Sequence, residues 1–204
     1  MSFFVTTMVF QGVVGILQFF LQHDLGLRWL RESVLGPNIN GVAKIYFGNV
    51  MAIRAYGFFP HPNVFAAFLA AAIFFLFYIY LKRAEEERPM VPGNFFFKYG
   101  TVFGLSFFVL VLALVLTFSR VTIAAFLVFA FFYFLFLLMH AEIRYSLRPL
   151  TFFLFAITIV CFVSMFLVFN NELLDRFDVS PGEQAVTLRY FYNKLAVDEI
   201  RSNW

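Results

Sequence analysis

Apolar residues in this sequence do not recur at the spacing of a half-buried helix or strand. They lie in blocks of about 20 residues with almost no charge inside them. A helix rises 1.5 Å per residue, so a block of that length crosses the ~30 Å hydrocarbon core of a bilayer. The blocks 2–21, 62–81, 100–118, 121–139 and 150–169 therefore predict an all-α, polytopic transmembrane helical bundle of about five spans. Within 101–139 the only charge is Arg120. As one helix this run would be about 58 Å long, and a central arginine would cost at least ~2.5–3.5 kcal/mol. Two spans meeting in a tight turn at Ser119–Arg120 remove both problems. The first block has neither a basic leader nor a small-x-small cleavage site, so it reads as a helix and not as a signal peptide.

The segments between blocks carry their own patterns. In the 22–61 loop, Leu25-Gly-Leu-Arg-Trp-Leu-Arg31 predicts a short amphipathic interfacial helix with Trp29 at headgroup depth. Lys44–Phe47 and Val50–Arg54, separated by Gly48-Asn49, predict a β-hairpin, since Gly-Asn suits a two-residue type II′ turn. In the tail, Ser180-Pro181-Gly182-Glu183 is a helix-opening sequence that predicts a helix over 183–204. The organisation expected is a transmembrane domain at 1–169 with a structured outer loop, and 170–204 as the start of a large, partly helical extracytoplasmic loop. Orientation comes from basic residues in the short loops: Lys82, Arg83, Arg88 and Lys98 in one, Arg144 and Arg148 in the other. Their density places 82–99 and 140–149 in the cytoplasm and the long segments outside.

Composition agrees with this picture. Hydrophobic residues make up 62% and charged residues 13%, against roughly 45–50% and 25% in soluble domains. The net charge of +3 comes from basic residues that mostly border the blocks, on both predicted membrane faces. That split excludes a nucleic-acid surface and reads as topology and lipid headgroups. The single cysteine, Cys161, makes neither an intrachain disulfide nor a cysteine metal site.

Three polar groups fall on the predicted outer face: Arg54 to Asn63 before the second block, Leu116 to Arg120 at the turn, and Arg176, Arg189, Lys194 and Arg201 in the tail. Several guanidinium groups around one outward cavity suit a diphosphate, because arginine offers a fixed fork of donors to phosphate oxygens. Each residue also has a plainer reading. Arg54 is an interfacial anchor beside Tyr56, Arg120 a topological stop, and Arg189 part of a solvated helix face. Asn63 caps the second span, His61 is a solvated loop histidine, and Glu85 to Glu87 is a solvated charged run.

The run Arg54-x-x-Gly57-x-x-x-His61-Pro62-Asn63, followed by the small-residue helix Val64 to Ala70, resembles the O-antigen ligase and O-antigen polymerase superfamily. So does Leu116-Thr-x-Ser-Arg120 followed by an apolar helix, in the same order along the chain. The resemblance implies a metal-independent membrane glycosyltransferase of polysaccharide or lipopolysaccharide biosynthesis in the bacterial cytoplasmic (inner) membrane. Such enzymes move a glycan from a polyprenyl-diphosphate carrier to a lipid, glycan or protein acceptor on the outer face, with no cofactor. By position, Arg54 and Arg189 hold the carrier diphosphate, while Asn63, Ser119 and Arg120 shape the cavity. The family continues into further spans and carries a catalytic histidine in the long outer loop. Here no histidine follows His140 and the sequence stops at Trp204, so the chain is expected to be a piece or a truncated copy of such an enzyme, with no catalytic base assigned. The competing classes are a lipid-linked glycan flippase or other transporter, and a non-catalytic membrane protein.

Overall fold

A computed structural model describes residues 2–47, 50–86, 101–139, 156, 158–160, 163 and 184–202. Helix α1 is Ser2–Leu21, α2 is Pro62–Glu86, α3 is Thr101–Leu116, α4 is Arg120–Met139 and α5 is Gln184–Ser202. The chain divides into two units, Met1–Val168 and Phe169–Trp204. Two helical stretches, Ser2–Leu21 and Pro62–Tyr80, are long and apolar enough to cross a membrane, and Thr101–Leu116 and Arg120–Tyr133 are shorter apolar helices. The predicted block 150–169 lies almost wholly outside the described residues.

Ring contacts fix how the helices run. Phe4 meets Phe75 at 5.5 Å between ring centroids, and a Cβ on Gly15 would meet Phe65, so α1 and α2 are antiparallel. Phe77 and Tyr80 meet Phe103, which makes α2 and α3 antiparallel as well. Phe74 packs on Phe129 and Phe77 on Tyr133, so α4 runs parallel to α2. The C-termini of α1 and α3 and the N-termini of α2 and α4 thus share one end.

Small residues allow the close approach. A Cβ on Gly12 would lie 3.0 Å from Val109 Cγ1, and one on Gly15 would lie 2.7 Å from Phe65 Cε1. Glycine at such points lets helices meet without a lipid-excluding side chain between them. Phe65, Leu69, Ile73, Phe107, Leu110, Leu114 and Phe126 fill the interior. Outward, Phe3, Phe10, Val13, Leu17 and Phe20 of α1 and Phe68, Phe74, Phe75 and Tyr78 of α2 are exposed. An apolar exterior of this kind is costly in water and neutral in hydrocarbon.

The predicted break between the third and fourth blocks is present. Helix α3 ends at Leu116, Thr117 and Phe118 turn with Phe118 at φ +50°, and α4 starts at Arg120. The hairpin also forms: β1 (Lys44–Phe47) pairs antiparallel with β2 (Val50–Ile53), with Phe47 opposite Val50. Its turn residues Gly48 and Asn49 lie outside the described residues.

The interfacial helix expected over 25–31 does not form. Gly26 at φ +78° and Arg31 at φ +61° bracket a single 3₁₀ turn, Arg28–Leu30. Left-handed residues at both ends stop propagation, and one turn cannot repay the cost of helix nucleation. In the tail, α5 covers most of the expected helix, while its proposed opening at 180–183 lies outside the described residues.

Candidate functional site

The loop between α1 and α2 does not stand away from the helices. From Ile53, the last residue of β2, to Phe58 the backbone runs beside the C-terminal half of α1, and three glutamines receive it. Gln22 Oε1 accepts Ile53 N–H at 2.8 Å, Gln18 Oε1 accepts Tyr56 N–H at 3.3 Å and Gln11 Oε1 accepts Phe58 N–H at 2.8 Å. Gln18 Nε2 also donates to Gly57 O at 2.9 Å. Gln11 and Gln18 share one face of α1, since seven residues make nearly two turns, and Gln22 follows directly after the helix at φ +61°. Arg54 N–H finds Ala43 O and Ala55 N–H finds Leu116 O, and just beyond the segment Phe59 N–H bonds Tyr56 O. Buried peptide groups without water must be paired internally, and here side-chain amides of α1 and of Gln22 just after it supply much of the pairing.

Gly57 sits where the chain lies closest to α1. Its φ is +59°, and a Cβ there would meet Gln11 Oε1 at 2.7 Å and the Phe65 ring at 3.1 Å. Glycine is the residue that meets both demands.

Glu32 completes the support from the other side. Only 6% exposed, it accepts Gln18 Nε2–H and Leu25 N–H on Oε1, each at 2.8 Å, and Leu27 N–H on Oε2 at 2.7 Å. Three donors on one carboxylate are what a buried charge requires. Tyr56, on the far side of the strap, accepts Ala43 N–H on its hydroxyl at 2.5 Å. Burial pushes its phenol up from the ordinary value of 10.0, against the opposing pull of that hydrogen bond and of the Arg54 charge.

Arg54 is 7% exposed. Its Nε donates to Thr117 O at 2.5 Å and its Nη2 to Asn63 Oδ1 at 2.7 Å. With Ala55 N–H on Leu116 O at 3.0 Å, this places a cation and an amide donor on the terminal carbonyls of α3, where the helix dipole is negative. The predicted Arg54 and Asn63 therefore meet directly, and Arg54 also bonds the turn that contains Ser119. Ser119 is 4% exposed, its Oγ lies 3.1 Å from Thr122 Oγ1, and its carbonyl accepts Ile123 N–H at the start of α4. Arg120 is exposed at the same end. Arg189 lies in α5, in the second unit.

Asn63 is inside α2 and does not cap it. That task falls to His61, whose Nδ1 accepts Asn63 N–H at 3.1 Å and whose carbonyl accepts Val64 N–H and Phe65 N–H. Acceptance at Nδ1 requires the ring to be unprotonated there. Burial, and then the nearby Arg54 charge, lower His61 from its ordinary 6.5, in keeping with that role. Among the described residues no group of three His, Cys, Asp or Glu side chains converges to hold a metal ion.

Sequence reasoning missed Gln18, Gln11, Gln22 and Glu32. One signal was available: Gln11 and Gln18 fall on a single face of an otherwise apolar helix, where uncompensated amides are expensive. No family model, no curated protein and no solved structure matches this chain.

Proposed function

We propose that this chain is a membrane glycan ligase or polymerase of the O-antigen ligase type. In this reading it takes a glycan from a polyprenyl-diphosphate carrier at the outer face of a bacterial cytoplasmic membrane and transfers it to a lipid, glycan or protein acceptor. The observation that carries the proposal is the direct hydrogen bonding of Arg54 to both Asn63 and Thr117. It joins the Arg-x-x-Gly-x-x-x-His-Pro-Asn and Leu-Thr-x-Ser-Arg segments at one helix end, beside the exposed Arg120.

In this mechanism Arg54, fixed by Asn63 and the α3 terminus, sets a positive potential at the mouth of the bundle. Arg120, exposed at that end, meets the diphosphate oxygens directly and stabilises the charge that grows on the leaving carrier phosphate. Ser119 holds the start of α4, so that Arg120 projects from a rigid turn. A second reading draws on the same contacts: Arg54 is a structural staple, its burial and its bonds to Asn63 and Thr117 tying the loop to α3 in a non-catalytic membrane protein.

Binding of a polyprenyl diphosphate, its monophosphate and the free polyprenol to the chain in nanodiscs separates the two readings. The transferase reading expects preference for the diphosphate, with Arg120→Gln weakening it about 10-fold or more, as loss of a charge-assisted hydrogen bond does. Equal binding of all three lipids, or binding indifferent to that substitution, refutes it and leaves the staple.

A further inference from the structure

We propose that the turn Arg28-Trp29-Leu30-Arg31 is a binding site for anionic phospholipid headgroups, seated at the membrane surface beside the C-terminal end of α1. The inference rests on α1 and α2 being held in a bilayer. It does not depend on any transferase activity.

The turn is built to point outward. Trp29 is 78% exposed, and Arg28 and Arg31 are exposed on either side of it. Neither arginine side chain has a hydrogen-bond or ion-pair partner among the described residues. The acids of the same stretch are engaged by other partners. Glu32 is buried on Gln18 and on the amides of Leu25 and Leu27, and Asp24 accepts Gly26 N–H at 3.2 Å and Leu35 N–H at 3.3 Å. With Glu32 buried and half-buried Asp24 bonded to peptide donors, the turn presents two cations around an indole.

The position fits the headgroup layer. Glu32 bonds Gln18, one turn before the last residue of α1, so the loop is anchored level with the end of that helix. An amphipathic ring at a span end belongs at the interface, where its body lies among acyl chains and its N–H reaches water. Two guanidinium groups at that depth are complementary to phosphodiester charge. Gly26 and Arg31 in left-handed conformations hold the turn as a fixed projection.

The test uses Trp29 fluorescence in the full chain. The sequence has two tryptophans, so Trp204→Phe isolates Trp29. The protein is reconstituted into vesicles of phosphatidylcholine alone and of an equimolar phosphatidylcholine–phosphatidylglycerol mixture, with bromine-labelled acyl chains on one lipid at a time. Brominated phosphatidylglycerol is expected to quench Trp29 at a lower mole fraction than brominated phosphatidylcholine. Arg28→Gln and Arg31→Gln are each expected to reduce that preference about 5-fold, and added salt to reduce it further. Equal quenching by both lipids overturns the proposal. So does shielding of Trp29 that depends on protein density and not on lipid charge, the mark of a second copy or another protein on this face. Failure of the chain to integrate into vesicles removes the premise and the proposal together. Integration without lipid preference refutes the headgroup site alone, and neither result bears on diphosphate binding.

Discussion

Replacing Gln18 with leucine is the most direct test of how the loop is held. Gln18 is fully buried, and its amide makes three hydrogen bonds, to the Glu32 carboxylate, to Gly57 O and from Tyr56 N–H. Leucine keeps most of the volume and removes all three, leaving a buried carboxylate with one donor fewer, an unpaired carbonyl and an unpaired amide. Each such group costs about 1–3 kcal/mol, more where a charge is involved, so the loop loses roughly 3–9 kcal/mol. Because 1.4 kcal/mol is a factor of ten, opening of the segment becomes at least about 100-fold more frequent. Amide hydrogen exchange in nanodiscs reads this at Ile53 and Ala55, whose own acceptors, Gln22 and Leu116, are untouched by the substitution. Gln11→Leu is the control. It removes the single bond to Phe58 N–H, and a neutral bond contributes about 1 kcal/mol. If exchange at Ile53 and Ala55 rises less than about 10-fold in Gln18→Leu, or no more than in Gln11→Leu, the glutamine strap does not hold the loop.

Two further outcomes follow from the same geometry. His61 titrates below 6.5 because burial and Arg54 disfavour its cation. As pH falls the unfolded chain takes up this proton first, so the stability that neutral His61 contributes is present above about 6.5 and is lost as pH falls through the lower folded value. An NMR titration of His61 checks the sign, and Arg54→Gln should move the midpoint upward; a midpoint above 6.5 in the unmodified protein contradicts the argument. Gly57→Ala should destabilise the unit by more than the ~1–2 kcal/mol of left-handed strain alone, since the new Cβ also displaces Gln11 Oε1 from Phe58 N–H. Thermal unfolding in detergent measures it, and an unchanged midpoint would mean that the loop sits away from α1.

The helices and the hairpin were legible because their signals are local. Charge-free blocks gave α1 and α2, the isolated Arg120 marked the break between α3 and α4, and Gly48-Asn49 between two apolar-rich runs marked the hairpin. The interfacial helix failed because its apolar and basic residues suited a helix while Gly26 and Arg31 took left-handed conformations. In the candidate site, the partners of Arg54 were only half visible. Asn63 stood out as a polar residue at a span start, but the other acceptor is the carbonyl of Thr117, and every residue has a carbonyl. Gln18 and Glu32 were hidden for a related reason. Their spacing follows from how the loop folds back, which no period of the chain records.

The tie between Arg54 and Thr117 also sets a timetable. The two residues lie 63 positions apart, and at ~5–20 residues per second a ribosome needs roughly 3–13 s to make the intervening chain. For those seconds the Arg54 guanidinium and the Ala55 amide have no α3 terminus to meet. Helix α1 can enter the bilayer early, yet the loop cannot seat until α3 arrives. Seating is therefore a late event in biogenesis, and a ribosome paused between residues 63 and 117 would hold the loop open beside α1, within reach of proteases and chaperones.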